Sequence, residues 1–397
     1  MDKPHQTASF VPKMFKRITT ALLALAVGVG AVLVAGRAAQ AQTYTVLYAF
    51  QGGSDGAFPY ASLLRDKSGN LYGTTSKEGS FQGGTVFKVD TSGTETVLHS
   101  FSGPDGSNPY AGLIRDAAGN LYGTTYYGGV YGYGTVFKLD AHQNETVLYS
   151  FTGGRDGSNP AASVLLDAAG NLYGTTEYGG AFSIHCFSGC GVVFKLSVQG
   201  KETVLHKFTR KADGAFPSAG LLRDAAGNLY GTTTAGGNYD AGTVFRIAKS
   251  GTESVIHVFG TDGKSPYAGL IGDGKGNLYG TTSHGGTSLH GTIFKLDKAG
   301  QETVLFNFDG IDGGESVADL VRDPAGNLYG TTVQGGSTNW GTIFKLDKAG
   351  HETILHSFTY LEGDSDAALI RDSDGNLYGT AGNCSNCNFG TVFRLTP

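Results

Sequence analysis

Seven near-identical phrases limit what this chain can fold into. "GNLYGTT" begins at Gly69, Gly119, Gly170, Gly227, Gly276 and Gly326, and "GNLYGTA" begins at Gly375. The starts lie 50, 51, 57, 49, 50 and 49 residues apart. A period of this length marks a supersecondary unit that buries its apolar face only by stacking on its neighbours. Each period carries four short apolar segments. In the second, "AGLIRD" passes through "AAGN" into "LYGTT", a Gly-rich loop leads to "GTVFKLD", and a polar turn leads to "ETVLYSF". The segments are rich in Val, Leu, Tyr, Phe and Thr and bounded by Gly, Asn or Asp. That is a strand signature, with no helical periodicity to compete.

Four strands in about 50 residues is the content of a propeller blade, whereas leucine-rich solenoid coils run to about 20–30. The ends sharpen the expectation. Residues 43–50, "TYTVLYAF", match the fourth segment of every repeat, and "GTVFRLT" at the other end matches the third. The sequence therefore predicts an all-β, seven-bladed β-propeller over residues 42–397. Each blade has four antiparallel strands, and the N-terminal strand pairs with the last blade, removing a free edge.

The pattern "DxxGNLYGTTxxGG…GTVFKLD…GxETVLHSF" resembles the Gloeo-Verruco (GloVer) tandem-repeat family of secreted bacterial β-propeller proteins. The resemblance covers residues 43–397. It implies a repeat-built extracellular propeller and no settled biochemical activity. Some family members look anchor-bearing at the C-terminus, and this chain departs from them by finishing with its last blade. The strand order also looks like that of WD40 blades, without the Trp-Asp pair.

Residues 1–41 read as a secretory leader. Lys13, Lys16 and Arg17 precede the apolar run Ala21 to Ala35, and "AQAQ" offers Ala39 and Ala41 as small residues for cleavage after Ala41. The run is shorter than the ~18–20 residues of a membrane span, although an uncleaved anchor is the alternative. Cleavage removes five basic residues and one acid and moves the net charge from −5 to −9. No Lys/Arg cluster tracks a phosphate backbone, so nucleic acid is not an expected partner. The expected product is a secreted or periplasmic monomer without a membrane span.

What recurs in every repeat reads as scaffold. Gly73 and its equivalents sit mid-strand, where a missing side chain permits a neighbouring sheet to approach. Asp66, Asp116, Asp167, Asp224, Asp273, Asp323 and Asp372 each precede an x-x-Gly-Asn turn whose backbone N–H groups an Asp can accept. A turn explains every occurrence, so a ring of seven metal-binding aspartates is set aside. His99, His206, His257 and His356 share a position with Tyr48, Tyr149 and Phe306, and exchange with aromatics points to packing. The arginines of "LIRD" are expected to pair locally with Asp or to line the channel. No phosphate-loop pattern is present, and neither cofactor nor metal is expected.

Variation concentrates in the loops between second and third strands and in those joining blades, which this strand order places on one face. Variable loops on a rigid frame are where binding resides. Candidate ligand-binding residues are Tyr131, Tyr133, Tyr178, His185, Tyr239, His284, His290, Trp340 and Phe389, whose rings suit sugar stacking or the anchoring of a protein. The alternative is that each ring packs over a blade top. Among the cysteines, local bridges Cys186–Cys190 and Cys384–Cys387 are expected in an exported chain. Pairing across the ring, or a zinc site with His185, needs long reach.

The leading functional expectation is a non-catalytic extracellular binding module for a glycan, peptide or cell-surface protein. A polysaccharide-active lyase or hydrolase is the alternative, with Glu177 and Asp240, or Tyr239, His185 and Arg155, as trial groups. A structural envelope protein is the third reading. No catalytic residue can be assigned from the sequence.

Overall fold

A computed structural model of the chain describes residues 42–382 and 389–396. The leader and the Cys384–Cys387 pair lie outside the described residues. The described residues form seven four-stranded antiparallel sheets. Blade one comprises Leu64–Arg65, Leu71–Thr75, Thr85–Val89 and Glu95–Ser100, and the next five blades repeat it. Blade seven takes Ile370–Arg371, Leu377–Ala381 and Thr391–Thr396 from the end of the chain and Thr43–Ala49 from its beginning. Thr43 pairs with Thr396 and Ala49 with Thr391. The predicted closure is thus a four-stranded sheet with no strand missing. Among the described residues, no helix is long and apolar enough to cross a membrane.

The core lies in the seams between blades. Phe101, closing the outer strand of blade one, meets Phe137 of blade two edge-on at 5.0 Å. The same pair recurs at every seam, as Phe50–Phe87, Phe151–Phe194, Phe208–Phe245, Phe259–Phe294, Phe308–Phe344 and Phe358–Phe393, with centroids 5.0–5.7 Å apart. An edge-to-face contact adds ~0.5–1.5 kcal/mol beyond area burial, so the seams are specific as well as apolar.

The repeated phrase now has a residue-by-residue account. Gly73 pairs across the strands with Phe87, and a Cβ there would lie 2.6 Å from the Phe87 ring. The glycine makes room for a ring of its own sheet, which corrects the expectation that a neighbouring sheet approaches. The next residue, Thr74, donates to the Ala111 carbonyl of the following blade at 3.1 Å. Thr380 does the same to Ala61 across the closure, also at 3.1 Å. Thr75 bonds within its blade to Thr85 at 2.8 Å.

Before the phrase, Asp66 Oδ1 accepts the Ser68 and Asn70 N–H groups, while Oδ2 accepts the Asn70 amide and the Tyr72 hydroxyl. These aspartates are turn residues, as expected. The arginines reach across seams instead of pairing locally: Arg115 lies 3.7 Å from Asp66 and over the Tyr72 ring of the preceding blade, and Arg65 and Arg322 lie over Tyr378 and Tyr279.

Candidate functional site: the axial mouth of the loop face

Each connecting loop descends from the outer strand of one blade to the inner strand of the next. On the way it pairs with the second-to-third loop of the blade it enters, as in Ala57 with Lys77, Ser107 with Tyr127 and Ser158 with Tyr178. The two variable loop sets therefore share one face, as expected. The loops end in a common phrase: a first residue, then proline in five loops and serine at Ser316 and Ser365, one variable residue, then alanine. The first position holds φ of 52–59° at Phe58, Asn108, Asn159, Phe216, Ser265 and Glu315. Asn tolerates that left-handed region, whereas a bulky Phe there is costly. Keeping Phe at 58 and 216 therefore places a ring at a strained backbone position beside the mouth.

Residues from all seven connecting loops meet around the ring axis and line a depression of about 140 Å³. At the variable position of this phrase stand Tyr60, Tyr110, Ala161, Ser218, Tyr267, Val317 and Asp366. Two positions deeper the lining is small, with Ser62, Gly112, Ser163 and Gly220, except at Asp319.

The rings are contiguous. Phe58 stacks on Tyr60, Tyr60 contacts Tyr110 at 6.1 Å, and Tyr110 meets Tyr126 edge-on at 5.4 Å. Tyr126 directly follows the second "GNLYGTT" and donates its hydroxyl to Glu177, the residue after the third copy, at 2.8 Å. Tyr178 closes this group against Phe216 at 5.7 Å.

The acids come from the two loops that lie between those of Tyr267 and Tyr60 around the ring. Asp319 and Asp366 touch the solvent of the depression but are surrounded by protein beyond it. Loss of hydration pushes both carboxyls up, opposed at Asp319 by the Gly269 N–H, which donates to it at 2.5 Å. Burial, followed by the charges of Asp366 and Asp364, raises the Tyr60 phenol to about 12. The mouth thus offers aromatic faces, neutral hydroxyls and carboxyls biased toward the protonated form. No lysine or arginine lines it among the described residues.

Of the residues singled out from sequence, Tyr178 joins this group. Five others seat on the connecting loop that follows their own blade. An added Cβ at Gly153, Gly260, Gly310 and Gly52 would meet Tyr133, Tyr239, His290 and Phe389 at 2.6, 3.2, 2.8 and 2.8 Å, and Trp340 packs edge-on against Tyr360 at 5.2 Å. Tyr131 is exposed, and His284 approaches Glu315 at 3.8 Å. The His185 carbonyl accepts a bond from Arg210 at 2.8 Å.

The same arginine grips Asp240 through two nitrogens at 3.2 and 2.9 Å and holds that carboxyl below its usual range. Glu177 and Asp240 therefore belong to separate hydrogen-bonded sets. Cys186 and Cys190 form the expected local disulfide, Cα atoms 5.3 Å apart, within the third blade's long loop.

Sequence reasoning missed Tyr60, Tyr110, Tyr267, Asp319 and Asp366. For Tyr60, Tyr110 and Tyr267 the available signal was the one changing letter between a recurrent proline and a recurrent alanine; Asp366 holds the same place after Ser365, and Asp319 follows the alanine.

The model of the Gloeobacter/Verrucomicrobia repeat matches residues 37–222, 186–323 and 260–397. No curated protein matches the chain. Among solved structures, the extracellular domain of a proposed one-component system from B. thetaiotaomicron is 12% identical, with a TM-score of 0.57 over 87% of this chain and 39% of that one. The extracellular domain of a proposed hybrid two-component system from the same organism is 13% identical, with a TM-score of 0.56 over 89% and 41%. A proposed 6-phosphogluconolactonase from Bacteroides fragilis is 18% identical, with a TM-score of 0.52 over 79% and 87%. At these identities the likeness is one of fold. The chain spans only about two fifths of the first two proteins.

Proposed function

The chain belongs to the Gloeobacter/Verrucomicrobia repeat family, and on that footing we propose that it is an exported binding module that takes a carbohydrate at the axial mouth. One observation carries the reading. The blades repeat almost letter for letter, yet the positions that converge on the axis differ, and the differences assemble Tyr60, Tyr110 and Tyr267 with Asp319 and Asp366 around one depression. Such a surface matches a neutral polyol: ring faces stack on its C–H groups, while phenols and carboxyls exchange hydrogen bonds with its hydroxyls.

Export rests on the leader at residues 1–41 and on the Cys186–Cys190 bridge, which belongs in an oxidising compartment. The two extracellular sensor domains of similar fold support the same compartment.

A glycan array, followed by calorimetry on the strongest ligand, tests the proposal. Tyr110→Ala and Tyr267→Ala are expected to weaken binding at least ~10-fold, the loss of ~1.4 kcal/mol, while Trp340→Ala leaves it unchanged. The reverse pattern would move the site to the outer loops. Cleavage of the polymer would replace the binding reading with the enzymatic one.

A further inference from the structure

Away from the mouth, six of the seven seams bring three side chains together near their outer edge: a ring from the fourth strand of one blade, an acid from the connecting loop, and the Glu that opens the fourth strand of the next blade. Tyr48, Asp55 and Glu95 form one such group. Tyr149, Asp156 and Glu202 form another. Where the ring is histidine, the trio acquires a metal-ligand composition. The sequence reading of these histidines as packing rings is half the account. His257 does lie edge-on to Phe259 at 4.7 Å, but its Nε2 faces two carboxylates.

We propose that His257, Asp262 and Glu302 form a binding site for a divalent transition-metal ion of the zinc class at the seam between blades four and five. His257 Nε2 stands 3.3 Å from Asp262 Oδ2 and 3.7 Å from Glu302 Oε2, and donor atoms of all three residues lie within 4.8 Å of one another. Ligands about 2.0–2.1 Å from a tetrahedral zinc ion are separated by about 3.3–3.4 Å, so small side-chain adjustments suffice.

Two further observations point to a missing partner. His257 Nε2 is buried and makes no hydrogen bond, the alignment with Asp262 being poor despite the distance. The Glu302 side chain is only 9% exposed, and its Oε1, like that of Glu95, Glu145, Glu202, Glu253 and Glu352 at the other seams, has no hydrogen-bond partner. Among the described residues, neither acid forms an ion pair with a lysine or arginine. A buried carboxylate and a half-buried one beside an unbonded imidazole favour a cation or a proton to offset their charge. A neutral imidazole with two carboxylate oxygens suits zinc better than calcium, which takes six to eight oxygens. A fourth position is left for water, and the ion would bridge strands of two blades.

The three other histidine seams differ: at the third, His206 Nε2 is hydrogen-bonded to Asp213 at 3.3 Å, and its trio with Glu253 does not bring three donor atoms within 4.8 Å. At the first, His99 Nε2 is already engaged by Asp105 at 2.9 Å, with Glu145 alongside. At the sixth, the Glu position is occupied by Tyr44, which stacks on His356.

The test is Zn²⁺ titration of the chelator-treated protein by calorimetry, with Co²⁺ absorption in the visible as a second readout. His257→Phe and Glu302→Gln are each expected to lose one equivalent of Zn²⁺ and the corresponding Co²⁺ band, while His356→Phe retains both. Phe is what the fifth blade carries at this position, Phe306, so His257→Phe fills the space with a ring the fold already uses. Melting of the metal-free variants checks that they are folded. Wild-type protein that binds no ion, or unchanged stoichiometry in both folded variants, would overturn the proposal and leave a proton shared between Asp262 and Glu302 as the neutralising partner.

Discussion

Tyr44 lies flat on His356, the ring centroids 4.2 Å apart and the planes 3° from parallel. One residue belongs to the first strand of the chain and the other to the outer strand of blade six. The contact therefore fastens the N-terminal strand to a second blade besides the one it completes. Tyr44 also tilts onto Phe393 at 5.1 Å, so the strand is held by ring packing as well as by its ladder with residues 391–396.

Tyr44→Ala should cost about 2–4 kcal/mol, in the range of large-to-small changes at packed sites, read as a lowered denaturation midpoint. Because the change also loosens the strand that covers a sheet edge, increased aggregation on heating is expected. An unchanged midpoint would mean that the ladder alone closes the ring.

A second test separates packing from polarity at the mouth. Tyr126→Phe keeps the ring against Tyr110 and removes only the hydroxyl that donates to Glu177 at 2.8 Å. Stability should fall by about 1–3 kcal/mol, the range for a bond to a charged group or a partly buried acceptor left alone. Glu177→Gln in the same background should recover part of the loss. If the double variant shows no recovery, the two side chains do not act as a pair.

Acidity supplies a third prediction at a seam without histidine. Lost hydration, and then the charge of Asp55, push Glu95 up to about 7 from an ordinary 4.5, and its Oε1 is without a partner. Between those values the folded chain keeps a proton that the unfolded chain has released. The contribution of this group to stability is therefore fully present below about 4.5 and is lost as the pH rises through about 7. Glu202 and Glu352 add the same trend. Glu95→Gln should stabilise the protein at pH 8 by on the order of 1 kcal/mol, the shift being discounted for partial solvent screening, and the gain should vanish near pH 4. A gain equal at both values would assign it to something other than ionisation.

Gly231→Ala addresses the repeated phrase directly. The new Cβ would sit 2.5 Å from the buried Phe245 ring, and overpacking of this kind costs about 1–3 kcal/mol. Gly220→Ala is the comparison, since its nearest atom is 3.5 Å away and its effect should stay within about 0.5 kcal/mol. Equal melting temperatures for the two variants would remove the steric account of the glycine.

The repeat made the blade count, the four strands and the closing strand legible, because hydrophobic period and turn chemistry are local properties that a ring merely repeats. Asp66 and its equivalents were readable for the same reason: the hydrogen bonds that make them turn residues lie within six residues. Gly73 was assigned the wrong neighbour, since a strand pattern shows that space is needed without showing which ring fills it.

Tyr133, His290, Trp340 and Phe389 attract notice as irregular loop aromatics, and each settles on an adjacent loop. Tyr60 and Asp366 attracted none, although Asp366 is the first cause after burial for the raised phenol of Tyr60. They come from the two ends of the chain, and only closure puts them together. His257, Asp262 and Glu302 likewise come from two blades. By itself the sequence determined the unit, its number and its manner of closure, through interactions that reach a few residues. The tertiary structure alone decided which side chains share the axis and which share a seam, because those distances depend on how the sheets are arranged around the ring and not on spacing along the chain.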